Sequence, residues 1–429
     1  MKERNHRIAL EFSLQNPSLY AVQEAVNVDC RERHLATVVP HTLVGEFSEG
    51  CLEPKPNSAV LIEMPTQEGG KVYGVLDTSG KVYFYRNEKY DFIATGLENA
   101  TVEYYTDTGG ETWAVIVGET GILLNAEGRK IYFSRSDLRG TACFFKHRLF
   151  VGAKGQTLLY SAPEDITNFE EPLSDGGEIV LANRGGEIEA VKACQGYLYV
   201  FFSHGIARLD IKGDPKEFVV ETVEYNGEKI FARTVCACKE GIFFLAKDGV
   251  YRLSGKKTER VFSDFVKLPL EETGFEYSVA LQDKVFLGYY TKDGVVTLVL
   301  YADGKSCYYA EELAALSKGI NGTGLFADYA ISVCRMEENG ENILVGRLVV
   351  ATDFGVSGYK TLRKLRFEGE GQFELVVRAD KRKLKRKVVF VNGEAEIDIS
   401  ERGKNFSFSF LFLKKSVIRK WFAEFKTTV

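Results

Sequence analysis

The chain has 429 residues and is rich in phenylalanine, tyrosine and glycine, with 30, 21 and 41 of these against 2 tryptophans and 3 methionines. This balance is typical of β-strands separated by glycine turns, and the length is sufficient for one large domain and a smaller one. The formal net charge of −5 argues against a general nucleic-acid binder, although it leaves a local basic patch open.

The first 56 residues have no regular spacing, and we interpret them as an N-terminal arm. Within this arm, Leu35–Val39 is a short apolar strand. Because an N-terminal strand commonly completes the last blade of a ring-shaped β-protein, we expect this strand to close the ring formed by residues 57–357.

Residues 57–357 contain pairs of aromatic or β-branched strands, each pair joined at a glycine. In the clearest pair of repeats, Cys194–Leu209 is echoed 44 residues later by Cys238–Leu253. A period of 40 to 50 residues made of strands and turns predicts a β-propeller in which each repeat is one blade. Seven turn glycines, 34 to 50 residues apart, predict seven blades, with six or eight left open by the uneven early gaps: Gly80, Gly121, Gly155, Gly205, Gly249, Gly294 and Gly340.

Two segments near the end of the propeller region have their own patterns. Ile331–Arg335, Gly340 and Ile343–Val345 are expected to form the last hairpin. Ala310–Lys318 is the one segment of this region with a helical pattern, and we expect a short helix inserted there.

Residues 358–429 alternate apolar and polar side chains and predict a small antiparallel β-sandwich. Asn392-Gly393 is the strongest hairpin signal in the chain. The last segment, Val417–Phe425, fits a helix as well as a strand, and we favour the strand. The six expected strands are Lys360–Phe367, Gln372–Arg378, Lys387–Val391, Ala395–Ile399, Asn405–Phe412 and Val417–Phe425.

The eight cysteines have no CxxC or metal-ligand spacing and lie mostly within apolar strands. We therefore expect reduced, buried thiols and synthesis in a reducing compartment. The N-terminal segment lacks a credible secretory signal, and no apolar run approaches the roughly 18 residues of a membrane helix, so we expect a soluble protein with no membrane span.

The search for catalytic motifs is negative. The five histidines are scattered, and the zinc-protease, nucleophile-elbow and phosphate-loop motifs are missing. We expect His204 and His147 to be exposed turn and strand histidines. A buried carboxylate pair remains open because Asp and Glu are plentiful. The prediction is a non-enzymatic protein with no catalytic residues, no cofactor and no metal.

A dense basic run is the clearest candidate interaction patch. Its cations suit an acidic protein surface or nucleic acid, but lysines also protect an edge strand from unwanted pairing. We favour edge protection or an acidic protein partner over nucleic acid. The patch consists of Arg378, Lys381, Arg382, Lys383, Lys385, Arg386 and Lys387.

The segment Tyr160–Phe169 is rich in turn residues and fits an ordinary inter-blade loop. It also resembles a recurring segment of virion proteins of tailed bacteriophages, in which a strand ending in Tyr-Ser precedes a Pro/Asp turn and Thr-Asn-Phe. The resemblance extends, in the spacing of strands and glycine turns, to four further segments: Ala25–Asp29, Tyr197–Leu209, Ile397–Gly403 and Phe406–Phe412.

The resemblance implies a structural propeller of the phage tail or head-to-tail connection, of the nozzle, stopper or hub type. It implies a homo-oligomer that contacts other virion or tail subunits and makes transient contact with DNA. It also implies a protein that is made in the bacterial host cytoplasm and resides in the virion. The alternative is a cytoplasmic or surface propeller that binds a protein or a glycan through its loop face.

Overall fold

The computed structural model describes residues 3–10, 20–29, 35–37, 41–46, 60–77, 79–86, 89–163, 165–170, 175–262, 266–271, 276–304, 307–310, 313, 315–319, 324–327, 332–336 and 345–428. Over these residues the chain is all-β, with strands, turns and two single-turn 3-10 segments, and with no α-helix. It divides into two compact units. The propeller unit comprises Leu43–Thr297 and Leu313–Arg335, and the sandwich unit comprises Met1–Thr42, Leu298–Glu312 and Met336–Val429.

Five strands precede the regular repeats: β1 (Glu3–Leu10), β2 (Tyr20–Val26), β3 (Val28–Asp29), β4 (Leu35–Thr37) and β5 (His41–Glu46).

Five consecutive four-stranded antiparallel sheets follow, and we number them blades 1 to 5. Blade 1 contains β6 (Val60–Pro65), β7 (Lys71–Leu76), β8 (Val82–Arg86) and β9 (Lys89–Ala94). Blade 2 contains β10 (Thr101–Thr106), β11 (Thr112–Val117), β12 (Gly121–Asn125) and β13 (Lys130–Tyr132). Blade 3 contains β14 (Leu138–Phe145), β15 (Arg148–Ala153), β16 (Thr157–Tyr160) and β17 (Gly177–Val180). Blade 4 contains β18 (Ile188–Cys194), β19 (Tyr197–Phe202), β20 (Gly205–Asp210) and β21 (Val219–Thr222), and blade 5 contains β22 (Cys236–Cys238), β23 (Gly241–Ala246), β24 (Gly249–Ser254) and β25 (Lys257–Val261).

Blade 6 begins with β26 (Tyr277–Leu281), β27 (Lys284–Thr291) and β28 (Gly294–Tyr301), and β29 (Cys307–Ala310) follows in the sandwich unit. Blade 7 contains β30 (Ala315–Lys318), β31 (Gly324–Ala327), β32 (Ser332–Met336) and the early strand β5. The remaining strands are β33 (Gly346–Thr352), β34 (Lys360–Glu370), β35 (Gln372–Ala379), β36 (Arg382–Val389), β37 (Glu394–Gly403), β38 (Phe406–Phe412) and β39 (Val417–Thr428).

The first strands of the blades form a closed ring. Each of β6, β10, β14, β18, β22, β26 and β30 contacts the next, and β30 contacts β6. All seven belong to the propeller unit. This closed ring, in which six of the blades are four-stranded antiparallel sheets, is a β-propeller, and it confirms the predicted fold class with seven blades.

Side-chain hydroxyl groups join neighbouring blades near the ring. Thr141 Oγ1 accepts a hydrogen bond from Val191 N at 2.9 Å, and Ser317 Oγ accepts one from Leu61 N at 2.8 Å. Ser278 Oγ donates to Arg233 O at 2.9 Å. These bonds pair backbone groups that would otherwise be buried without a partner at the seams between blades.

Six of the seven predicted glycine hairpins join the second and third strands of blades 1 to 6. Gly80 and Gly155 have φ near +74°, which a residue with a Cβ resists. Gly205 is required for a different reason, because a Cβ at this position would lie 2.3 Å from the carbonyl oxygen of Arg184. The turn at Gly205 therefore depends on the close approach of the loop that precedes the blade.

The prediction for the seventh hairpin differs from the structure. The expected strand Ile331–Arg335 corresponds to β32, which is the third strand of blade 7 rather than the second, while Gly340 lies outside the described residues. The expected helix at Ala310–Lys318 was wrong, because strands β29 and β30 occupy this segment. β30 pairs with β31 and completes the ring, and this tertiary pairing overrides the helical preference of an alanine-rich and leucine-rich segment.

The ring-closing strand was also placed one element too early. β5 is the fourth strand of blade 7, whereas β4, which contains most of the predicted Leu35–Val39 strand, pairs with β3 and β39 in the sandwich unit. Both segments are short, and a strand pattern does not specify its pairing partner. The strands β1 to β4 thus belong to the sandwich unit, so the observed division differs from the predicted boundaries at 56/57 and 357/358.

The sandwich unit has two sheets. One has the order β3-β4-β39-β34-β37, with β1 also paired to β39, and the other has the order β29-β2-β33-β38-β35-β36. The six predicted C-terminal strands correspond to β34 to β39, and Val417–Phe425 lies in the strand β39. The third, expected at Lys387–Val391, begins earlier in the structure, at Arg382, and ends at Val389. The core between the sheets is aromatic: Trp421 is fully buried, stacks on Phe367 at 5.9 Å and meets Phe410 edge-on at 5.3 Å between ring centroids.

Asn392 and Gly393 form the predicted tight turn, with φ values of +54° and +84°. The strands that it joins do not form a hairpin ladder, since β36 pairs with β35 and β37 pairs with β34. One bridge, between Val391 and Glu394, connects the two sides. The turn therefore passes the chain from one sheet of the sandwich to the other.

Candidate interaction surfaces

The basic run lies on a sheet edge of the sandwich unit. Asp380 and Lys381 form the turn between β35 and β36, in which Ala379 pairs with Arg382. The Asp380 carboxylate accepts hydrogen bonds from Lys404 N at 3.1 Å and Asn405 N at 3.2 Å, which holds the turn against the neighbouring connection. Within the described ranges β36 pairs with β35 alone, so its other edge is open.

The alternation of side chains along β36 divides the basic residues between two faces. Val388 is opposite Phe373, and both are buried in the core. Lys383, Lys385 and Lys387 therefore project from the opposite, outer face of the sheet. Arg382 and Arg386 share the core-facing side of the strand but are exposed at the edge of the sandwich.

All seven residues of the predicted patch are exposed: Arg378, Lys381, Arg382, Lys383, Lys385, Arg386 and Lys387. Among the described residues, two of these cations have a carboxylate within ion-pairing distance. Lys385 Nζ lies 2.6 Å from Glu374 Oε2, and Arg382 Nη1 lies 4.0 Å from Glu401 Oε2. The structure thus places six of the seven residues on the open edge strand β36 and its adjacent turn, and Arg378 on the neighbouring strand β35 opposite Lys383, with a surplus of positive charge.

A second cluster lies in the ring of first strands and has no local sequence signal. Lys192 Nζ on β18 lies 3.9 Å from Glu103 Oε1 on β10, so the two groups connect blades 4 and 2 across the ring. Burial raises the pKa of the Glu103 carboxyl, against the opposing attraction of Lys192 and Lys318. Near these groups, burial raises the pKa of the Cys143 and Cys236 thiols to about 12.

The distances across the ring limit what the channel can hold. Besides the Lys192–Glu103 ion pair, Arg233 Nη2 donates to Asn99 Oδ1 at 3.1 Å, which joins blade 5 to blade 2. In this arrangement the two contacts obstruct the channel, and a DNA duplex, whose major groove alone is about 12 Å wide, could pass only if these side chains moved apart.

The segment Tyr160–Phe169 is part of the blade core. It connects β16 to β17, so it lies within blade 3 and is not the inter-blade loop that the sequence suggested. Tyr160 and Phe169 are buried, and Ser161 Oγ accepts a hydrogen bond from Leu149 N at 2.9 Å. The buried Arg148 guanidinium donates to the carbonyl of Ser161 at 2.8 Å and to that of Asp175. These contacts give the segment a structural role.

The two histidines singled out in the sequence lie in different blades, His147 between β14 and β15 and His204 between β19 and β20. His147 and His204 are exposed, as predicted. Within the described part of the chain, no group of three His, Cys, Asp or Glu side chains could hold a metal ion. The Glu103–Lys192 pair escaped sequence reasoning because its members are 89 positions apart, on strands whose adjacency depends on ring closure.

Comparisons with known proteins assign the chain to no family. No protein-family model and no curated protein matches the chain. Among solved structures, BamB from Moraxella catarrhalis matches with a TM-score of 0.40 and 12% identity, over 80% of this chain and 100% of that chain. The WD40 domain of Neurospora crassa Pan2 matches with a TM-score of 0.45 and 10% identity, over 71% of this chain and 97% of that one.

BBS1N, solved in complex with ARL6DN, matches with a TM-score of 0.43 and 11% identity, over 71% of this chain and 99% of that chain. None of these three structures is a phage tail protein. The propeller assignment rests on the sheets and the closed ring described above. In the described residues, no helix is long and apolar enough to span a bilayer.

Proposed function

We propose that this protein is a non-enzymatic structural component of a bacteriophage or prophage tail or head-to-tail connection, and that its sandwich unit is a docking module. The observation that carries the proposal is the open edge strand β36 with its surplus of exposed cations. An open edge offers unpaired backbone groups to an extended segment of a neighbouring subunit, and the cations select an acidic one.

The propeller supplies rigidity in this proposal. Its neighbouring blades are joined by hydrogen bonds from backbone N–H groups to side-chain hydroxyl groups, and its channel is spanned by the Lys192–Glu103 ion pair. In this proposal the channel is not a DNA conduit. Contact with DNA in an assembly would occur in a lumen that several copies surround, and the docking surface of each copy would set the position of its propeller.

A non-enzymatic role is favoured by the surroundings of the ionisable groups near the channel, which leave them poorly suited to catalysis. Glu103 is neighboured by two lysines, and the thiols of Cys143 and Cys236 have a pKa raised far above the physiological range. Thiols in this state are poor nucleophiles. The resemblance of Tyr160–Phe169 to a segment of phage virion proteins adds to the proposal.

Deletion of the gene from its source genome tests this function. We expect particles that stop at one stage of tail formation or of head-to-tail joining, visible by negative-stain electron microscopy, and recovery on complementation with the wild-type gene. Complementation with the double variant Lys383→Glu/Lys387→Glu should fail to restore joining although the protein is folded. Normal, infectious particles from the deletion strain would refute the proposal.

The alternative of a propeller that binds a protein or glycan through a loop face is separated by two measurements. It requires unaltered particles in the deletion strain, and saturable binding of the purified protein on a glycan array or to a captured host protein. The largest exposed aromatic side chains of the described blades, Phe92 and Tyr132, lie on the outermost strands β9 and β13 rather than on hairpin loops. The most exposed aromatic side chains of the described blades therefore do not lie on a loop face, which is where the alternative requires them.

A further inference from the structure

Three charged side chains converge on the propeller channel from blades that are not neighbours. Glu103 lies on β10 of blade 2, Lys192 on β18 of blade 4, and Lys318 at the end of β30 of blade 7. Counted around the closed ring, Lys192 is two blades after Glu103, and Lys318 is two blades before it. Because the first strands surround the channel, charged groups on non-neighbouring blades meet only across it.

The three groups are close enough to act on one another. Lys192 Nζ lies 3.9 Å from Glu103 Oε1. Burial raises the pKa of the Glu103 carboxyl, and the ammonium groups of Lys192 and Lys318 oppose this effect. Burial also raises the pKa of the Cys236 thiol on blade 5, and the same two ammonium groups oppose it there. The two lysines therefore share one region of the channel.

Within the described part of the chain, none of the three charged groups makes a direct hydrogen bond to another residue. A hydrogen bond between an ammonium and a carboxylate is about 2.7–2.9 Å long, so the 3.9 Å contact of Lys192 with Glu103 is an ion pair without such a bond. The side chains of Lys192 and Glu103 keep 27% and 34% of their surface exposed, and Lys318 is exposed as well. Since Lys192 and Glu103 meet inside the ring, this exposure indicates open space next to them in the channel.

The charge and the size of this space suit a small oxyanion. Two ammonium groups offer six N–H donors beside a single carboxyl, so positive charge and donors are in excess. The oxygens of a phosphate, sulfate or carboxylate group accept such hydrogen bonds and compensate charges that are costly to remove from water. Because Lys192 and Glu103 approach to 3.9 Å across the ring, a group of a few atoms suits the space better than a nucleotide or a polymer.

We propose that the propeller channel binds a small oxyanion between the ammonium groups of Lys192 and Lys318, beside Glu103. Both lysines donate hydrogen bonds to its oxygens, and an ion with a protonated oxygen, such as hydrogen phosphate, also donates to the Glu103 carboxylate. The ion joins blade 4 to blade 7 and so stabilises the closed ring. The site lies entirely within the propeller unit and does not depend on the docking surface at β36.

Calorimetric titration and thermal unfolding of the full chain test the site. Phosphate, sulfate and acetate are each compared with chloride at equal ionic strength, which separates specific binding from screening. We expect saturable binding of at least one oxyanion and a melting temperature that rises with its concentration, because a ligand that binds only the folded state stabilises it. The order of the three ions distinguishes a tetrahedral phosphate-type ligand from a carboxylate.

Three variants assign the binding to these residues. Lys192→Met/Lys318→Met should weaken binding of the oxyanion by about a hundredfold or more, because it removes two charged hydrogen bonds and keeps unbranched side chains. The matched control Lys212→Met/Lys239→Met removes two exposed ammonium groups elsewhere in the propeller unit and should bind as the wild type does. Glu103→Gln should strengthen binding roughly threefold to tenfold, because it removes the negative charge beside the ion.

Lys318→Met alone leaves the Lys192–Glu103 ion pair in place, should weaken binding about tenfold, and replaces the double variant if that does not fold. The inference would be overturned by a wild-type chain that responds to the three oxyanions only as it does to chloride. Undiminished binding in Lys318→Met, or weaker binding in Glu103→Gln, would overturn it equally. None of these outcomes concerns β36, so the gene-deletion test of the docking module is decided separately.

Discussion

Replacement of Gly205 by alanine tests the packing that defines the propeller repeat. The hairpin of blade 4 meets the loop before β18 so closely that the new Cβ would lie 2.3 Å from the carbonyl oxygen of Arg184. The obstacle is backbone, which cannot rotate away as a side chain can. Overpacking of this kind costs roughly 1–3 kcal/mol, and we expect the upper end because both partners are main chain.

A loss of about 3 kcal/mol should lower the melting temperature by about 6–10 °C in a unit of this size. Thermal and urea unfolding followed by circular dichroism measures the effect. Gly213→Ala is the matched control, since a Cβ there meets nothing within 4 Å and the backbone does not have positive φ. If Gly205→Ala and Gly213→Ala unfold at the same denaturant concentration, the close-approach explanation is wrong.

Three further predictions concern the core, the channel and the thiols. Trp421→Ala should lower the free energy of unfolding of the sandwich unit by about 3–5 kcal/mol in urea titrations, and a loss below about 1 kcal/mol would contradict the aromatic core described here. Since the pKa of Glu103 is raised above its ordinary value of 4.5, the folded state retains a proton that the unfolded state has lost, and this group reduces stability as the pH rises from 4.5. The stability of Glu103→Gln relative to wild type should therefore increase between about pH 4 and pH 7.5, and a relative decrease would reverse the assigned direction. Alkylation at about pH 8, mapped by mass spectrometry, should leave Cys143 and Cys236 unmodified until the protein is unfolded, and rapid native labelling of either would show that the thiol is accessible.

Local chemistry was enough to predict the class of fold and most hairpins. Glycine corners between aromatic strands specify two-strand units, and their spacing predicts a propeller, because these preferences depend on a few adjacent residues. The same reasoning failed for Ala310–Lys318, where the pairing of β30 in the ring overrode a helical pattern. It also failed for the ring-closing strand, which is β5 rather than Leu35–Val39. In both cases the deciding partner is distant in the sequence.

For the candidate interaction surfaces, too, some features follow from the local sequence and others from contacts between residues distant in the chain. The sequence by itself determined that a cationic run would be exposed near the C-terminus, because seven basic residues in ten positions are exposed in almost any fold. The tertiary structure decided that this strand is an open edge and that Asn392-Gly393 passes the chain to the other sheet, so that an acidic edge lies beside it. Ring closure likewise decided that Glu103 faces Lys192. The physical reason is that side-chain pattern specifies which face of a strand is buried, whereas the neighbour of each strand depends on how the whole chain packs.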